Sequence, residues 1–356
     1  MAEKVLMKGN EALAEAAISA GCRHFFGYPI TPQTEISAYM AKHMPKAGGT
    51  YLQAESELAA INMVYGAACA GVRAMTSSSS PGISLKSEGI SYLAACDLPC
   101  LIVNVQRGGP GLGGIQPSQS DYWQATKAAG HGDFFLLVLA PASVQEMIDD
   151  VFLAYELSEK YRIPAMILSD GMLGQMMEPV ILKKPKAEKS FSADSWATNG
   201  HEGKRAHHII NSLYLQADTL EKLNNKRFKR YEVVIHNEQR AEKFLTDDAD
   251  LIIAAYGAAA RIAKTAVIEA RAKGYKVGLL RPITLWPFPK EAFVQAAKTA
   301  KAFLSVELNM GQMVDDVKLA ISCQRPVHFF GRAGGAIPTP AQVFAQVERI
   351  LGGAEK

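Results

Sequence analysis

Along the first half of the chain, short apolar runs alternate with longer stretches whose apolar residues recur at helical spacing. Residues 24–26, 51–54, 72–76, 100–105, 135–139 and 164–168 read as strands. Helices are expected over 11–20, from 33 or 34 onward, and over 56–70, 84–95 and 143–161, with Asn10 placed to cap the first and Gly21 to end it. Most of the strands are continuous apolar runs, the pattern of a parallel sheet covered on both faces. The stretch 51–71, YLQAESELAAINMVYGAACAG, stands out. Leu58, Ile61, Tyr65 and Ala68 fall on one side of its helix and Ala60, Val64 and Ala67 on another, so burial against more than one layer is expected. Yet the helix opens with Glu55, Ser56 and Glu57. First-turn N–H groups and the helix dipole favour a carboxylate there, whereas burial raises its pKa. Such a carboxylate is either a solvated first-turn acid or one held at a ligand.

From Lys183 the character changes: residues 183–249 are rich in Lys, Glu, His, Asn and Asp and poor in long apolar runs. The strand–helix rhythm then resumes, with strands at 250–256, 276–280 and 302–307, helices at 259–273 and 290–301, and a proline-studded loop, LRPITLWPFP, at 280–289. A helix opens within 307–313, a strand and glycine loop occupy 327–340, and a last helix covers 341–351. The expected organisation is an α/β domain over 1–182, a polar crossover or partner-contacting segment over 183–249, and a smaller α/β domain over 250–356, with no obvious internal repeat.

Composition narrows the function. The chain has 356 residues, 48% of them hydrophobic, enough for two or three real cores. Lys and Arg number 38 against 35 Asp and Glu, a near balance that makes no case for a nucleic-acid surface. The start lacks an apolar signal segment, and no run approaches the roughly 18 uncharged apolar residues that a membrane span needs, so a cytoplasmic protein is expected. Of the five cysteines, only Cys96 and Cys100 are close, which suits reduced core thiols better than zinc or an iron–sulfur cluster. His201, Glu202, His207 and His208 gather at 201–208, but their spacing matches neither a metalloprotease helix nor a zinc finger, and no metal is expected.

In parallel α/β sheets, ligands bind beyond the carboxyl ends of the strands. Several polar groups sit in connections that could share that edge. Thr31 lies on a rigid loop between Pro29 and Pro32; SSSSPG at 77–82 reads as a polar loop; Glu57 follows its strand; and Arg107 is surrounded by five glycines in QRGGPGLGG. Arginine suits planar, bidentate carboxylate binding, and glycine permits close ligand approach. The loop fits neither a Walker A pattern nor the dinucleotide fingerprint. The blander alternatives are a turn hydroxyl, a flexible connection and a structural ion pair.

Taken together, GYPITPQTE, QAESELAAINMVYGA, QRGGPGLGG and LRPITLWPFP resemble the alpha-type subunit of 2-oxoacid:ferredoxin oxidoreductases. The similarity runs along essentially the whole chain. The opening VLMKGNEALAEAAISAG and APASVQEM look like the branched-chain subgroup, which acts on 2-oxoisovalerate (3-methyl-2-oxobutanoate). The resemblance implies a thiamine diphosphate enzyme split over several chains. The first domain would be of the pyrimidine-binding type, and the second transketolase C-terminal-like. A beta-type subunit would hold the diphosphate and its Mg2+; [4Fe-4S] clusters would reside in beta-type and ferredoxin-like delta chains, alongside a gamma subunit. Ferredoxin would take the electrons and coenzyme A the acyl group. Glu57, in register with the family motif through Gly66 nine residues on, would bond the aminopyrimidine nitrogen N1′; Tyr28 and Pro29 would also border the cofactor. Thr31 would lie near the substrate's oxo and carboxylate oxygens, and Arg107 would face the carboxylate. The GLGG after QRGGP places glycines where some relatives have Ser or Thr. A 2-oxoglutarate-type alpha subunit is the alternative within the family. A non-catalytic structural or regulatory chain is the alternative of another class.

Overall fold

The computed structural model describes residues 4–127, 129–184 and 192–352. The first half folds into strands β1 (Val5–Lys8), β2 (His24–Gly27), β3 (Thr50–Gln53), β4 (Ala74–Ser78), β5 (Leu101–Gln106), β6 (Leu137–Leu139), β7 (Ala165–Asp170) and β8 (Met177–Val180). Its helices are α1 (Gly9–Ser19), α2 (Thr34–His43), α3 (Glu57–Cys69), α4 (Ser80–Ala95), α5 (Tyr122–Thr126), α6 (Val144–Tyr161) and α7 (Gly171–Gln175). The second half holds α8 (Ala217–Asn237), β9 (Ala241–Phe244), β10 (Leu251–Ala254), α9 (Gly257–Ala272), β11 (Val277–Pro282), β12 (Thr284–Trp286), α10 (Lys290–Ala296), β13 (Ala302–Glu307), α11 (Met313–Ala320), β14 (Val327–Gly331) and α12 (Pro340–Leu351).

The main sheet has the order β12-β6-β7-β5-β4-β2-β3, parallel throughout except for β12. Its central strands β4, β5 and β7 are buried along their whole length; their first residues are apolar, and polar residues gather toward their carboxyl ends. The second sheet, β14-β13-β10-β11-β9, is parallel apart from β9. Two pairings tie the polar segment to the second sheet and the two halves to each other. Strand β9, inside the polar segment, pairs with β11, and β12, from the proline-studded loop, closes the edge of the main sheet against β6. Trp286 of β12 stacks on Phe135 with ring centroids 4.9 Å apart. Residues 185–191 of the expected crossover lie outside the described residues.

Four local expectations are corrected. Asn10 does not cap α1; it is buried and its Nδ2 donates to the Pro32 carbonyl and to Glu35, both at 2.8 Å. The serine run is not a loop. Ser77 and Ser78 end β4, Ser79 is the N-cap position of α4, and Ser80 and Pro81 start the helix, where proline's missing N–H costs nothing. Helix α10 stops at Ala296, short of the expected 301. Helix α3 is buried on one side only, through Glu57, Ala60, Ile61, Val64 and Ala68, while Leu58 is 47% exposed. No described helix is long and apolar enough to cross a membrane.

Candidate active site

Helix α3 begins at the edge where β3 ends. Ser56 caps it, its Oγ accepting the Ala59 N–H at 3.1 Å, and this puts Glu57 in the first turn. Glu57 is only 6% exposed. Among the described residues nothing donates a hydrogen bond to its carboxylate. Contrast Glu307 at the end of β13, also buried, whose oxygens accept the N–H groups of Gln312, Met313 and Val314 at 2.8–3.0 Å and the hydroxyl of Ser305 at 2.9 Å. Buried carboxylates normally have such partners. Helix α4 packs beside Glu57 by means of a glycine: a Cβ on Gly82 would lie 2.6 Å from Glu57 Oε1 and 2.1 Å from Ser78 Oγ. The hydroxyls of Ser78 and Ser79 are buried without hydrogen-bond partners.

The loop after β2 is anchored from below. Gln33, fully buried, accepts the Ser77 hydroxyl at 2.5 Å and donates to the Tyr28 carbonyl at 3.2 Å. Asn10 holds the Pro32 carbonyl. The loop therefore presents an exposed Thr31, an exposed Pro29 and a half-buried Tyr28 at the sheet edge. Arg107, 9% exposed at the end of β5, binds this loop directly: one terminal N–H group donates to the Thr31 carbonyl at 3.0 Å and another to the Leu112 carbonyl at 3.1 Å. Its Nε is buried without a partner, and among the described residues no carboxylate lies at ion-pair distance from it. The first turn of α4 joins Arg107 to Glu57, since the Arg107 N–H donates to Ser80 Oγ at 3.0 Å and Gly82 touches Glu57.

Below this turn lies a polar network that pattern reading misses. Asp121 accepts the Ser80 hydroxyl at 2.6 Å and Asn104 Nδ2 at 2.9 Å, and Asn104 accepts the Ser80 N–H at 3.1 Å. Burial holds the Asp121 carboxyl above its ordinary range, against those hydrogen bonds and the Arg107 charge. Asn104 and Gln106 are polar interruptions in an otherwise apolar strand, and that was the available signal. Lys86, fully buried on α4, is a second missed residue; its sign is a cation on the stripe shared with Ile83, Ile90 and Leu93.

The second domain closes one side of the site. Gln119 donates to the Tyr256 carbonyl at 2.9 Å and accepts the Leu308 N–H at 3.1 Å, and Asn309 donates to the Gln119 carbonyl at 2.8 Å. The two glycine loops meet here: Gly335 has φ +95°, and a Cβ on it would lie 2.3 Å from Gln116 Cβ. A cleft of about 620 Å³ remains between the domains, lined by Ser80, Gly111, Asp121, Gln124, Asn309 and Gly334 among others. The histidines at 201–208 are far from this chemistry in kind: His201 Nδ1 accepts the Gly203 N–H, and His208 Nδ1 meets the Ala197 carbonyl. Among the described residues, no cluster of three or more His, Cys, Asp or Glu could hold a metal ion.

This architecture matches known proteins over its full length. Residues 15–243 match the family "Pyruvate flavodoxin/ferredoxin oxidoreductase, thiamine diP-bdg", and residues 249–343 match "Pyruvate:ferredoxin oxidoreductase core domain II". The ketoisovalerate oxidoreductase subunit VorB of Methanothermobacter marburgensis is 47% identical over 348 residues, covering 98% of each chain. The chain belongs to the 2-oxoacid:ferredoxin oxidoreductase family. It is an alpha-type subunit of this enzyme family, with a thiamine diphosphate-binding α/β domain followed by a transketolase-like second domain. Another relative in the family, the 2-oxoglutarate synthase subunit KorA of Archaeoglobus fulgidus, is 37% identical over 337 residues, covering 92% of this chain and 95% of that one. The solved 2-oxoglutarate:ferredoxin oxidoreductase from Magnetococcus marinus, with 2-oxoglutarate, coenzyme A and succinyl-CoA bound, superposes with a TM-score of 0.86 at 29% identity. This oxidoreductase subunit is covered over 98% of its own length in that match and spans 65% of that chain. A split-gene transketolase shares the fold at a TM-score of 0.61 and 16% identity, over 97% of this chain and 98% of that one.

Proposed function

We propose that this chain supplies the aminopyrimidine half of a thiamine diphosphate site in a multi-chain enzyme that oxidatively decarboxylates branched-chain 2-oxoacids, 3-methyl-2-oxobutanoate foremost. Electrons pass to ferredoxin and the acyl group to coenzyme A. A beta-type subunit holds the diphosphate and its Mg2+, [4Fe-4S] clusters sit in beta-type and ferredoxin-like delta chains, and a gamma subunit completes the assembly. The observation that carries the reading is the buried Glu57 carboxylate that accepts no hydrogen bond within the described protein. It is an acceptor waiting for a donor. The unpartnered Ser78 and Ser79 hydroxyls near it are further groups that a hydrogen-bonding ligand could engage.

When bound, thiamine diphosphate supplies a nucleophilic carbon and an electron sink for the decarboxylation. The residues of this chain contribute position and charge. Glu57 would hydrogen-bond ring nitrogen N1′ of the bound cofactor and so support its acid–base chemistry. Thr31, on its anchored loop beside Tyr28 and Pro29, faces the oxo and carboxylate oxygens of the substrate. Arg107, a cation without a carboxylate partner, stands behind that loop as the charge for the substrate carboxylate. The branched-chain preference is supported by 47% identity to the ketoisovalerate subunits, against 35–37% to the 2-oxoglutarate subunits.

The test is a co-purified complex assayed with 3-methyl-2-oxobutanoate, 2-oxoglutarate and pyruvate. The expected kcat/KM is highest for the branched substrate by about tenfold or more, the scale that an apolar wall can supply. Highest efficiency with 2-oxoglutarate would assign the chain to the 2-oxoglutarate type instead.

A further inference from the structure

Helix α4 carries one buried cation, and it touches the backbone of the residue that bears the buried carboxylate. Lys86 is 0% exposed, and its Nζ donates to the backbone carbonyl of Glu57 at 3.4 Å. Among the described residues that carbonyl is its one hydrogen-bond partner. An ammonium withdrawn from water with a single long hydrogen bond is costly unless an opposite charge offsets it. Gly82, one helical turn before Lys86, brings α4 against the Glu57 side chain, whose carboxylate accepts no hydrogen bond among the described residues. We propose that Lys86 is a positioning residue: its ammonium is the counter-charge of Glu57, and it holds the carboxylate as an ionised acceptor facing the ligand edge.

The surroundings leave no competing charge. Strand β4 reads AMTSS and β5 reads LIVNVQ, so neither brings an ionisable group. On α4 itself Glu88 is exposed and accepts from Tyr92. Asp121 is engaged by Ser80 and Asn104 at the start of the helix. On α3 the charged residue facing Lys86 is Glu57. Burial pushes the Lys86 ammonium down to about 8, and the Glu57 charge acts in the opposite direction. With the folded-state value below the unfolded one, protonated Lys86 is a stability cost that is present at pH 7 and relieved as pH rises from about 8 toward the unfolded value. Glu57 offsets part of that cost.

The proposed charge pairing does not depend on the cofactor, so it is tested on the full chain alone. Urea unfolding is measured for the parent, Glu57→Gln, Lys86→Met and the double variant. The pair predicts that each single change lowers the midpoint more than the two together do, because each strands one buried charge. Additive losses overturn the proposal. Infrared difference spectra against Glu57→Gln locate the protonated-carboxyl band of residue 57. In Lys86→Met, or in Lys86→Gln if the Met variant does not fold, that band moves to higher pH by about one unit or more. An unmoved band overturns the proposal. The enzymatic arm rests on the function proposed above: in the assembled complex, the acid limb of the kcat/KM profile of the Lys86 variant moves up by the same amount, with assembly and bound thiamine diphosphate unchanged. Coupling in the chain with an unmoved acid limb leaves the pair standing and removes Glu57 from the cofactor.

Discussion

At the residue scale, the site mixes groups that motif reading finds with groups that it does not. Glu57 stood out at the mouth of an apolar helix, Thr31 on a rigid loop between prolines and Arg107 in a glycine-rich loop, and their roles came from the family resemblance. The geometry gives Arg107 a second duty. Its guanidinium holds the Thr31 and Leu112 carbonyls, so it fixes two loops as well as supplying charge. Arg107→Met is expected to lower kcat/KM for 3-methyl-2-oxobutanoate and for its straight-chain analogue by similar factors. The loss is about 2–5 kcal/mol if the substrate carboxylate is left buried and unpaired. Arg107→Lys keeps the charge but not the fork, and should fall between Met and parent. Hydrogen exchange over residues 108–114 should quicken in the Met variant, because the Leu112 carbonyl loses its donor. A Met variant that stays assembled and near-parent in efficiency would contradict the substrate role. Asn104, Gln119 and Asp121 were not legible in advance, since a lone amide or carboxylate in a strand or loop does not announce its partners 17 or more residues away.

At the element scale, α4 is the part that organises the site. Its first turn bonds Arg107 through Ser80 and touches Glu57 through Gly82. Reading SSSSPG as a loop failed because serine and proline are loop formers by composition and helix starters by position. Proline at the second helical residue and a run of apolar residues at helical spacing from Ile83 both argued for the helix. Strands β2 to β7 were legible to within a few residues from their apolar stretches, whereas the short antiparallel β1 and β8 were not. The open side of α3 was not, because small alanines look alike on a buried and an exposed face. Gly82→Ala tests the contact between α4 and α3. A methyl group 2.6 Å from Glu57 Oε1 and 2.1 Å from Ser78 Oγ must displace something. The expected outcome is a chain that folds with a loss of about 1–3 kcal/mol in urea, as overpacking costs elsewhere. In the assembled complex its thiamine diphosphate affinity should fall about tenfold or more, through the displaced carboxylate. Unchanged affinity would mean that Glu57 does not face the cofactor.

At the scale of the whole molecule, two α/β domains are locked together around one edge of the main sheet. Arg281 of the second domain makes two hydrogen bonds to Glu146 of α6, at 2.8 and 2.9 Å, and its Nε bonds Glu242 at 2.7 Å. Strand β12 crosses to the first sheet, and Gln119 bonds both Tyr256 and Leu308. The crossing of β12 to the first sheet was not legible, because β12 is a three-residue piece without a pattern of its own. The lock presents Glu57, Thr31 and Arg107 at one open edge, and no described cluster there could hold a metal. The central claim is the one proposed above, that this chain supplies half of a thiamine diphosphate site and a partner the other half. Titration calorimetry of thiamine diphosphate with Mg2+ into the chain alone, and into the assembled complex, tests it most directly. The account predicts tight, stoichiometric binding by the complex and no comparable binding by the isolated chain. Sub-micromolar binding by the chain alone would contradict it.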